Sequence, residues 1–303
     1  MRKGRICLLT NDVETTSIVN GGLRPEAGLK VWKEGLPRLL DLYAKYDVKS
    51  TFFFVADFAR ECPEIVRMIQ ADGHEVACHG LTHDYKKAFD ILSYDEQIKH
   101  LSEAKDILED IAGQEVISFR APALRVNSFT PKALIETGFR YDSSVAPQRM
   151  DIFMTLGSKN KLAWMRAPRS PYFVDENNLA RSGNTKLLEI PVSSFGFPYI
   201  GTFMRVSPAL NRLTRKLIYA ETKDSTKAVN FLIHPNELID EENLHIKTEK
   251  RSSNFIAYLL SDVIRKQLKL KNLGLKATGL YENEIQYWTK KEYNFLRICD
   301  IKA

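Results

Sequence analysis

The sequence predicts an α/β fold in which a mainly parallel sheet is covered by helices. Short apolar runs alternate with amphipathic stretches along most of the chain, and polar residues follow several of the runs. Such alternation is typical of strand–helix units that build a parallel sheet. The chain has 303 residues, 44% of them hydrophobic and 27% charged, which is enough apolar material for a sizeable core.

Six apolar runs are short and rich in β-branched or aromatic residues, which favours strands over helices. They cover residues 6–10, 50–55, 75–79, 116–120, 187–192 and 230–234. Between them, one helix is predicted to begin after Ser93, with Glu96 completing a capping box, and to end at Gly113. A second helix is predicted with Thr130 as its cap and Gly138 at its end.

The sequence indicates one domain over residues 1–275, with an irregular insertion at about 146–186 and a C-terminal extension at 276–303. The insertion combines prolines, aromatic residues and polar residues without periodicity, as long functional loops do. The extension has only weak periodicity, so its structure is not predicted. Nothing in the sequence indicates the oligomeric state.

The net charge of +6 comes from scattered Lys and Arg residues rather than from a basic block. We therefore expect no nucleic-acid partner, although the charge suits a phosphate-bearing substrate or peripheral contact with the inner membrane. The four cysteines form no C-x-x-C pair, and we expect free thiols in a reducing compartment. The sequence shows no signal peptide and no membrane-spanning run, so a cytoplasmic location is expected.

Two pairs of residues suggest a metal site. His79 and His83 are four residues apart, and on a helical turn they would face the same side and share one metal ion. Asp12 and Glu14 follow a predicted strand and would point the same way, so that one could bind the metal and the other deprotonate a water molecule. Each pair alone is also compatible with ordinary surface residues.

Two further residues at strand ends could take part in the chemistry. Arg120, beside Pro122, could hold a carboxylate in a bidentate grip, and His234 could act as a general acid near neutral pH. The alternatives are a surface arginine at a turn and a core histidine bonded to the backbone. His74 is expected in the core, whereas His100 is expected to be an ordinary surface residue.

The order of these motifs resembles the polysaccharide deacetylase family, also known as NodB-like proteins or carbohydrate esterase family four. An acidic motif is followed by H-x-x-x-H, then R-x-P, then a late L-x-H, and the stretches at 138–143 and 188–191 also fit. The resemblance covers about residues 5–234. It implies a distorted (β/α)7-type barrel, the NodB homology fold, with a long inserted loop region, and hydrolysis of an N-acetyl group.

The resemblance also implies the ligands of one divalent metal ion, with His79 and His83 as two of them. The family's acidic motif has two adjacent aspartates, but here the second position is Val13. Glu14 is therefore assigned as the third ligand, with Asp12 in that role as the alternative. Two imidazoles and a carboxylate favour Zn²⁺, with Co²⁺, Mn²⁺ and Ni²⁺ as further candidates.

Catalytic roles follow from the same resemblance. Asp12 would be the base, Arg120 its partner and His234 the acid that protonates the departing amine. Ala123 stands where the family usually has an aromatic residue, and its backbone N–H could stabilise the oxyanion. The substrate pocket would include Leu232, Pro122 and Ala123.

The implied function is removal of an N-acetyl group from a sugar. Because no export signal is seen, we expect a nucleotide- or lipid-linked precursor of a cell-surface glycan, or an oligosaccharide. One alternative is a related amide hydrolase acting on a formamide or a small cyclic amide. A non-catalytic glycan-binding module with the same fold is an alternative of a different class.

Overall fold

A computed structural model describes residues 4–15, 18, 25–148, 164–240, 268 and 270–302. Seven parallel strands lie side by side in the order β11-β1-β2-β3-β4-β5-β8, and an antiparallel hairpin extends the sheet beyond β8. The parallel strands are β1 (Arg5–Val13), β2 (Thr51–Phe54), β3 (Glu75–Cys78), β4 (Ser118–Phe119), β5 (Tyr141–Asp142), β8 (Leu188–Glu189) and β11 (Val229–Ile233).

The sheet is curved into a half-barrel with helices outside it, so the predicted distorted barrel is confirmed. The helices are α1 (Pro25–Lys30), α2 (Leu36–Lys45), α3 (Ala56–Glu61), α4 (Pro63–Ala71), α5 (Tyr94–Ala112), α6 (Thr130–Glu136), α7 (Gly201–Val206), α8 (Pro208–Thr222) and α9 (Leu275–Lys290). None of the helices within the described ranges is long and apolar enough to cross a membrane.

Strand β1 shows how the sequence builds two different faces. Leu9 and Val13 pack in the large core cluster between the sheet and the helices, whereas Leu8 belongs to a second, smaller cluster. Because side chains alternate along a strand, Asp12 lies on the same face as Leu8. Arg120, which bonds Asp12, stacks its guanidinium 4.3 Å from the ring of Phe53, another member of the smaller cluster. The second face of β1 therefore combines an apolar cluster with the polar side chain of Asp12 beside it.

Local signals predicted two of the helices, with one correction. Helix α5 begins with the predicted capping box of Ser93 and Glu96 and ends at Gly113, which has a left-handed backbone. Helix α6 was expected to begin after Thr130, but Thr130 is its first residue and Phe129 precedes it. The Thr130 hydroxyl instead accepts a hydrogen bond from the backbone N–H of Asn127, so it closes the preceding turn.

Two of the predicted strands are reduced to two residues each. The run at 116–120 forms only Ser118–Phe119, and the run at 187–192 forms only Leu188–Glu189. After β4 the chain makes a short 3₁₀ turn at Pro122–Leu124, because proline cannot donate a ladder hydrogen bond. The short parallel strands leave the residues that follow them free to turn toward the site.

The predicted insertion is partly regular. Within the described residues it contains the hairpin of β6 (Tyr172–Asp175) and β7 (Asn178–Ser182), and Tyr172 of β6 pairs with Glu189 of β8. A second small hairpin follows, made of β9 (Ser194–Phe195) and β10 (Phe197–Pro198). The part of the insertion at 149–163 lies outside the described residues.

The C-terminal residues, for which the sequence predicted no structure, belong to the barrel. Helix α9 buries Tyr281, Ile285 and Trp288, and the Trp288 indole donates a hydrogen bond of 2.9 Å to the Tyr199 hydroxyl. Strand β12 (Tyr293–Phe295) then pairs in parallel with the beginning of β1. Ile298, in the turn that follows, packs in the smaller apolar cluster. These residues therefore complete the core.

Loss of the α9 core contact should destabilise the whole domain. Trp288→Ala removes a fully buried indole and is expected to lower the free energy of unfolding by roughly 3–5 kcal/mol. Leu275→Ala is a control in the same helix, since Leu275 is 65% exposed, and should change it by less than about 0.5 kcal/mol. Urea unfolding followed by circular dichroism measures both. Equal stability of the two variants would contradict the packing described.

Candidate active site

A buried ion pair lies at the centre of the candidate site. The Arg120 Nη1 donates a hydrogen bond of 2.8 Å to Asp12 Oδ1, and Arg120 is fully buried while Asp12 is 3% exposed. Burial acts to raise the pKa of the Asp12 carboxyl, but the charge of Arg120, the nearby imidazoles of His79 and His234, and the Arg120 hydrogen bond together hold the pKa below its usual value. Asp12 is therefore an ionised carboxylate in an interior site.

Arg120 binds three segments, but it does not grip Asp12 in the predicted bidentate manner. Only Nη1 reaches the carboxylate, while Nη2 donates to the hydroxyls of Thr10 and Ser143 and Nε donates to the Ser143 carbonyl. The geometry differs because β5 is short and places Ser143 against the guanidinium. This arrangement fixes Arg120 from both sides and leaves Asp12 Oδ2 for other groups.

Three side chains near Asp12 have the geometry of a metal site. One ligand atom each from Glu14, His79 and His83 can be chosen so that all three lie within 4.8 Å of one another. His79 is 1% exposed, and its Nε2 makes no hydrogen bond to any residue that the structure describes. The other ring nitrogen, Nδ1, is 2.8 Å from the Arg120 carbonyl oxygen. Because a carbonyl oxygen can only accept, Nδ1 is the nitrogen that carries the proton, and in the neutral ring Nε2 is unprotonated. A buried, unbonded imidazole nitrogen beside a carboxylate fits a divalent metal ion.

The two histidines are brought together by a loop rather than by the helical turn that was predicted. The segment from His79 to His83 contains no helix, and Gly80 has a left-handed φ of +77°. A Cβ at Gly80 would lie 3.3 Å from both His100 and Pro122, so a larger residue would fit poorly as well as being strained. The tight turn at Gly80 redirects the chain from β3, and the His79 and His83 rings come to lie 5.6 Å apart.

Two contacts fix the shape of this loop. The Gly80 carbonyl accepts a hydrogen bond from the N–H of Ala56 in the first turn of α3. The Leu81 N–H donates a bond of 2.7 Å to Nε2 of His100, which is 6% exposed. The expectation that His100 is a surface residue was therefore wrong, because its helix packs against the loop. His74 lies in the core as predicted, where it accepts a bond from the N–H of Ser50.

His234 lies across the site from the metal candidates. Its Nε2 is 3.8 Å from Asp12 Oδ2 and 4.0 Å from Glu14 Oε1, and its Nδ1 is 3.0 Å from Glu237 Oε1. Burial acts to lower the pKa of His234, but the hydrogen bond to Glu237 and the nearby carboxylates raise it to about 9. Glu237 is in turn paired with the buried guanidinium of Arg205.

Glu237 and Arg205 were missed by the sequence analysis. Glu237 is 1% exposed and Arg205 is 1% exposed, so each needs the other to compensate its charge. An acidic residue three positions after His234 was a weak signal that could have been noticed. The position of Arg205, which belongs to α7, could not be inferred from sequence spacing.

The three predicted pocket residues occupy different environments. Leu232 is 3% exposed and pairs in register with Thr10 on β1, while Pro122 is buried. Ala123 is exposed and has a positive φ of 53°, a value that non-glycine residues rarely adopt. Leu124, the next residue, also has a φ of 53°. Strain of this kind occurs at functional loops, and here it follows directly after the Arg120 segment.

The fold is an α/β half-barrel, and at its strand ends lie a possible Glu14–His79–His83 metal site and the neighbouring side chains of Asp12 and His234. Residues 27–141 match the sequence family described as polysaccharide deacetylase. The chain is also 27% identical over 168 residues to a peptidoglycan deacetylase of Helicobacter pylori. That match covers 55% of this chain and 55% of the relative, so the chain spans about half the length of that protein.

Solved structures with the same fold cover nearly the whole chain. A probable polysaccharide deacetylase from Pseudomonas aeruginosa PAO1 matches with a TM-score of 0.59 and 17% identity, over 97% of this chain and 89% of that one. An allantoinase matches with a TM-score of 0.60 and 16% identity, over 97% and 88%. These likenesses concern the fold alone. The sequence matches add a similarity to polysaccharide deacetylases over part of the chain, which agrees with the resemblance that its motifs predicted.

The metal candidates can be tested by removing one imidazole. We expect His83→Ala to weaken Zn²⁺ binding by more than the ~10–100-fold typical of losing an outer-sphere partner, because a direct ligand would be lost. Asp84→Asn, at the adjacent residue, keeps the acceptor that caps the following turn and should bind Zn²⁺ as the wild type does. Calorimetric titration of the metal-stripped proteins measures both affinities. Equal affinities would exclude His83 as a ligand.

Proposed function

We propose that this protein is a metal-dependent hydrolase that removes the acetyl group from an N-acetylated sugar. The observation that carries the proposal is the position of the Asp12 carboxylate. Its Oδ2 lies 3.8 Å from His79 Nε2 on one side and 3.8 Å from His234 Nε2 on the other. A base, a metal-ligand candidate and an acid thus surround one small space, as amide hydrolysis requires.

The metal ion is proposed to bind Glu14, His79 and His83, with Zn²⁺ as the preferred ion. When bound, a divalent ion would polarise the amide carbonyl and lower the pKa of a water molecule. Glu14 is favoured over Asp12 as the third ligand because its oxygen falls in the compact group with the two imidazoles. Asp12 is instead committed to Arg120 through Oδ1.

Asp12 is the proposed general base. Its pKa is held below the usual value, so it is ionised at neutral pH and able to accept the proton of the attacking water. The Arg120 guanidinium, which also bonds Thr10 and Ser143, keeps Asp12 Oδ1 occupied. The other oxygen, Oδ2, lies between His79 and His234. A fixed orientation matters because proton transfer needs a short, aligned contact.

His234 is the proposed general acid. With its pKa near 9 it carries a proton at neutral pH, and Glu237 holds Nδ1 so that Nε2 faces the site. An imidazolium can donate its proton to the departing amine. Ala123 is proposed to supply a backbone N–H to the oxyanion, while Leu232 and Pro122 would line the acetyl pocket.

The roles of the two carboxylates can be separated by measuring metal content and activity together. We expect Asp12→Asn to retain the metal but to lose roughly 10²–10⁴-fold in the rate of acetate release, because only the base is removed. Glu14→Gln should lose the metal as well as the activity. Both are read by elemental analysis and by an acetate assay. Full activity of Asp12→Asn would sink the proposed mechanism, and loss of metal from Asp12→Asn alone would reverse the two assignments.

The substrate class is proposed from the names of the relatives and from the charge of the chain. The relatives act on N-acetylated sugars by name, such as peptidoglycan in the Helicobacter pylori protein and chitooligosaccharides in one from Sinorhizobium fredii. The net charge of +6 suits a substrate that carries phosphate. We therefore propose an N-acetylated oligosaccharide, or a nucleotide- or lipid-linked precursor of a surface glycan.

A substrate panel distinguishes these candidates from the alternatives. Acetate and formate release should be measured on soluble chitooligosaccharides, nucleotide-linked and lipid-linked N-acetyl sugars, peptidoglycan fragments, a formamide and a cyclic amide. We expect acetate from at least one sugar, and its loss with a chelator. Turnover of the formamide or cyclic amide alone would favour the related amide hydrolase. Sugar binding without turnover in the metal-loaded protein would indicate a non-catalytic module.

A further inference from the structure

Two buried carboxyl groups lie side by side on the wall of the barrel next to the Arg120 segment. Asp142 in β5 and Glu189 in β8 are in-register neighbours of parallel strands, and both are fully buried. One oxygen of each has a conventional donor. Asp142 Oδ1 accepts from the Ser144 hydroxyl at 2.6 Å, and Glu189 Oε1 accepts from the Val145 N–H at 3.0 Å. The other two oxygens, Asp142 Oδ2 and Glu189 Oε2, have no donor among the described residues.

The two side chains are close enough to hydrogen-bond to each other, and the two oxygens without a donor are the atoms available to do so. Two carboxylates cannot bond to one another, because neither has a proton to donate, and their charges repel in a buried site. Among the described residues the cation that acts on both carboxyl groups is Arg120, whose guanidinium already bonds Asp12, Thr10 and Ser143. A proton held between the two oxygens would satisfy both atoms and remove one of the charges.

We propose that Asp142 and Glu189 share one proton and act together as positioning residues for the Arg120 segment. The proton leaves a single negative charge on the pair and links β5 to β8 through a short chain of hydrogen bonds. The shared proton involves only Asp142 and Glu189.

The pair is connected to the site by the two serines that follow Asp142. Ser144, held by Asp142, accepts a hydrogen bond of 2.9 Å from the N–H of Ala121. Ser143, in the same turn, bonds the Arg120 guanidinium through both its hydroxyl and its carbonyl. Glu189 fixes the end of this turn at Val145. The shape of the turn therefore decides where Arg120, and through it Asp12, is held.

The surroundings of the pair explain why a proton is retained. Burial, the largest cause, raises the pKa of both carboxyl groups. The charge of Asp142 raises the pKa of Glu189 further, whereas the contact with Glu189 and the charge of Arg120 act to lower that of Asp142. Among the described residues Tyr172 of β6, which pairs with Glu189, is a further titratable group that faces the pair, and its hydroxyl donates to the Leu179 carbonyl. Raised pKa values mean that the folded state binds a proton that the unfolded state releases as the pH rises.

Amide substitutions test the shared proton directly. In Glu189→Gln the amide oxygen can accept from Val145 while the amide nitrogen donates to Asp142, and in Asp142→Asn the nitrogen donates to Glu189. Each single variant reproduces the hydrogen bonding and charge of the proton-sharing pair, so stability and turnover should stay near those of the wild type. In the double variant both facing side chains are amides, and no proton is shared between them. It should be less stable than the sum of the single changes predicts.

The pH dependence of unfolding provides a readout that does not rest on catalysis. Between about pH 5 and pH 8 the stability of the wild type relative to Glu189→Gln should fall as the pH rises, with a slope approaching one proton. Asp110→Asn, which removes an exposed carboxylate, should leave the wild-type profile unchanged in slope. Parallel profiles for the wild type and Glu189→Gln would overturn the proposal, as would strong destabilisation by either single amide.

The positioning role rests on the proposed deacetylase activity and is tested by kinetics. The double variant, measured where it remains folded, should lose about tenfold or more in kcat with a smaller change in KM, because the base is misplaced rather than the substrate lost. The single amides should keep activity. Unchanged kcat in the folded double variant would contradict the positioning role. If the wild type released no acetate, the pH profiles would still decide whether the proton is shared.

Discussion

The geometry of the site depends on one buried guanidinium. Arg120 is fully buried. It bonds Thr10 and the proposed base Asp12 in β1, and Ser143 in the segment after β5. A buried charge without partners would cost several kcal/mol, so the strands that supply its partners must meet around it. The same contacts that satisfy the charge therefore fix the strand ends, and the functional side chains inherit their positions from this requirement.

Around this centre, the charges occur in compensated sets rather than singly. Asp12 is compensated by Arg120, and Glu237 by Arg205 and His234. Each set spans two or more elements that are distant in sequence. The site is thus rigid before any substrate arrives, because moving one member would leave its partner buried and unpaired. Rigidity of this kind favours chemistry that needs fixed proton donors and acceptors.

The sequence predicted which side chains lie near each other better than how they do so, and their roles stay predictions. Alternation along a strand predicted Asp12 and Glu14 on one side, and His234 lies within 4.0 Å of both. Arg120 and His234, both predicted at strand ends, each contact Asp12. The pairing of His79 with His83 was predicted for the wrong reason, since a glycine turn rather than a helix joins them. The contact of His100 with the loop was missed because a contact between separate elements leaves no periodic pattern in the sequence.

The fold could be predicted only where periodic patterns were long enough to detect. Two-residue strands are too short to show a period, although the spacing of Tyr281, Ile285 and Trp288 at i, i+4 and i+7 was a helical signal that was overlooked.

The position of β12 has a consequence for how the chain folds during synthesis. The beginning of β1 pairs with Tyr293–Phe295, and Ile298 enters the cluster that also contains Leu8. Strand β1 is made before β12, and most of the barrel lies between the two in sequence. Until β12 leaves the ribosome, the edge of β1 that it covers is open, so the nascent chain has to avoid wrong pairing there while the intervening residues are made. This pairing is consequently a late, long-range event, which slows closure of the barrel.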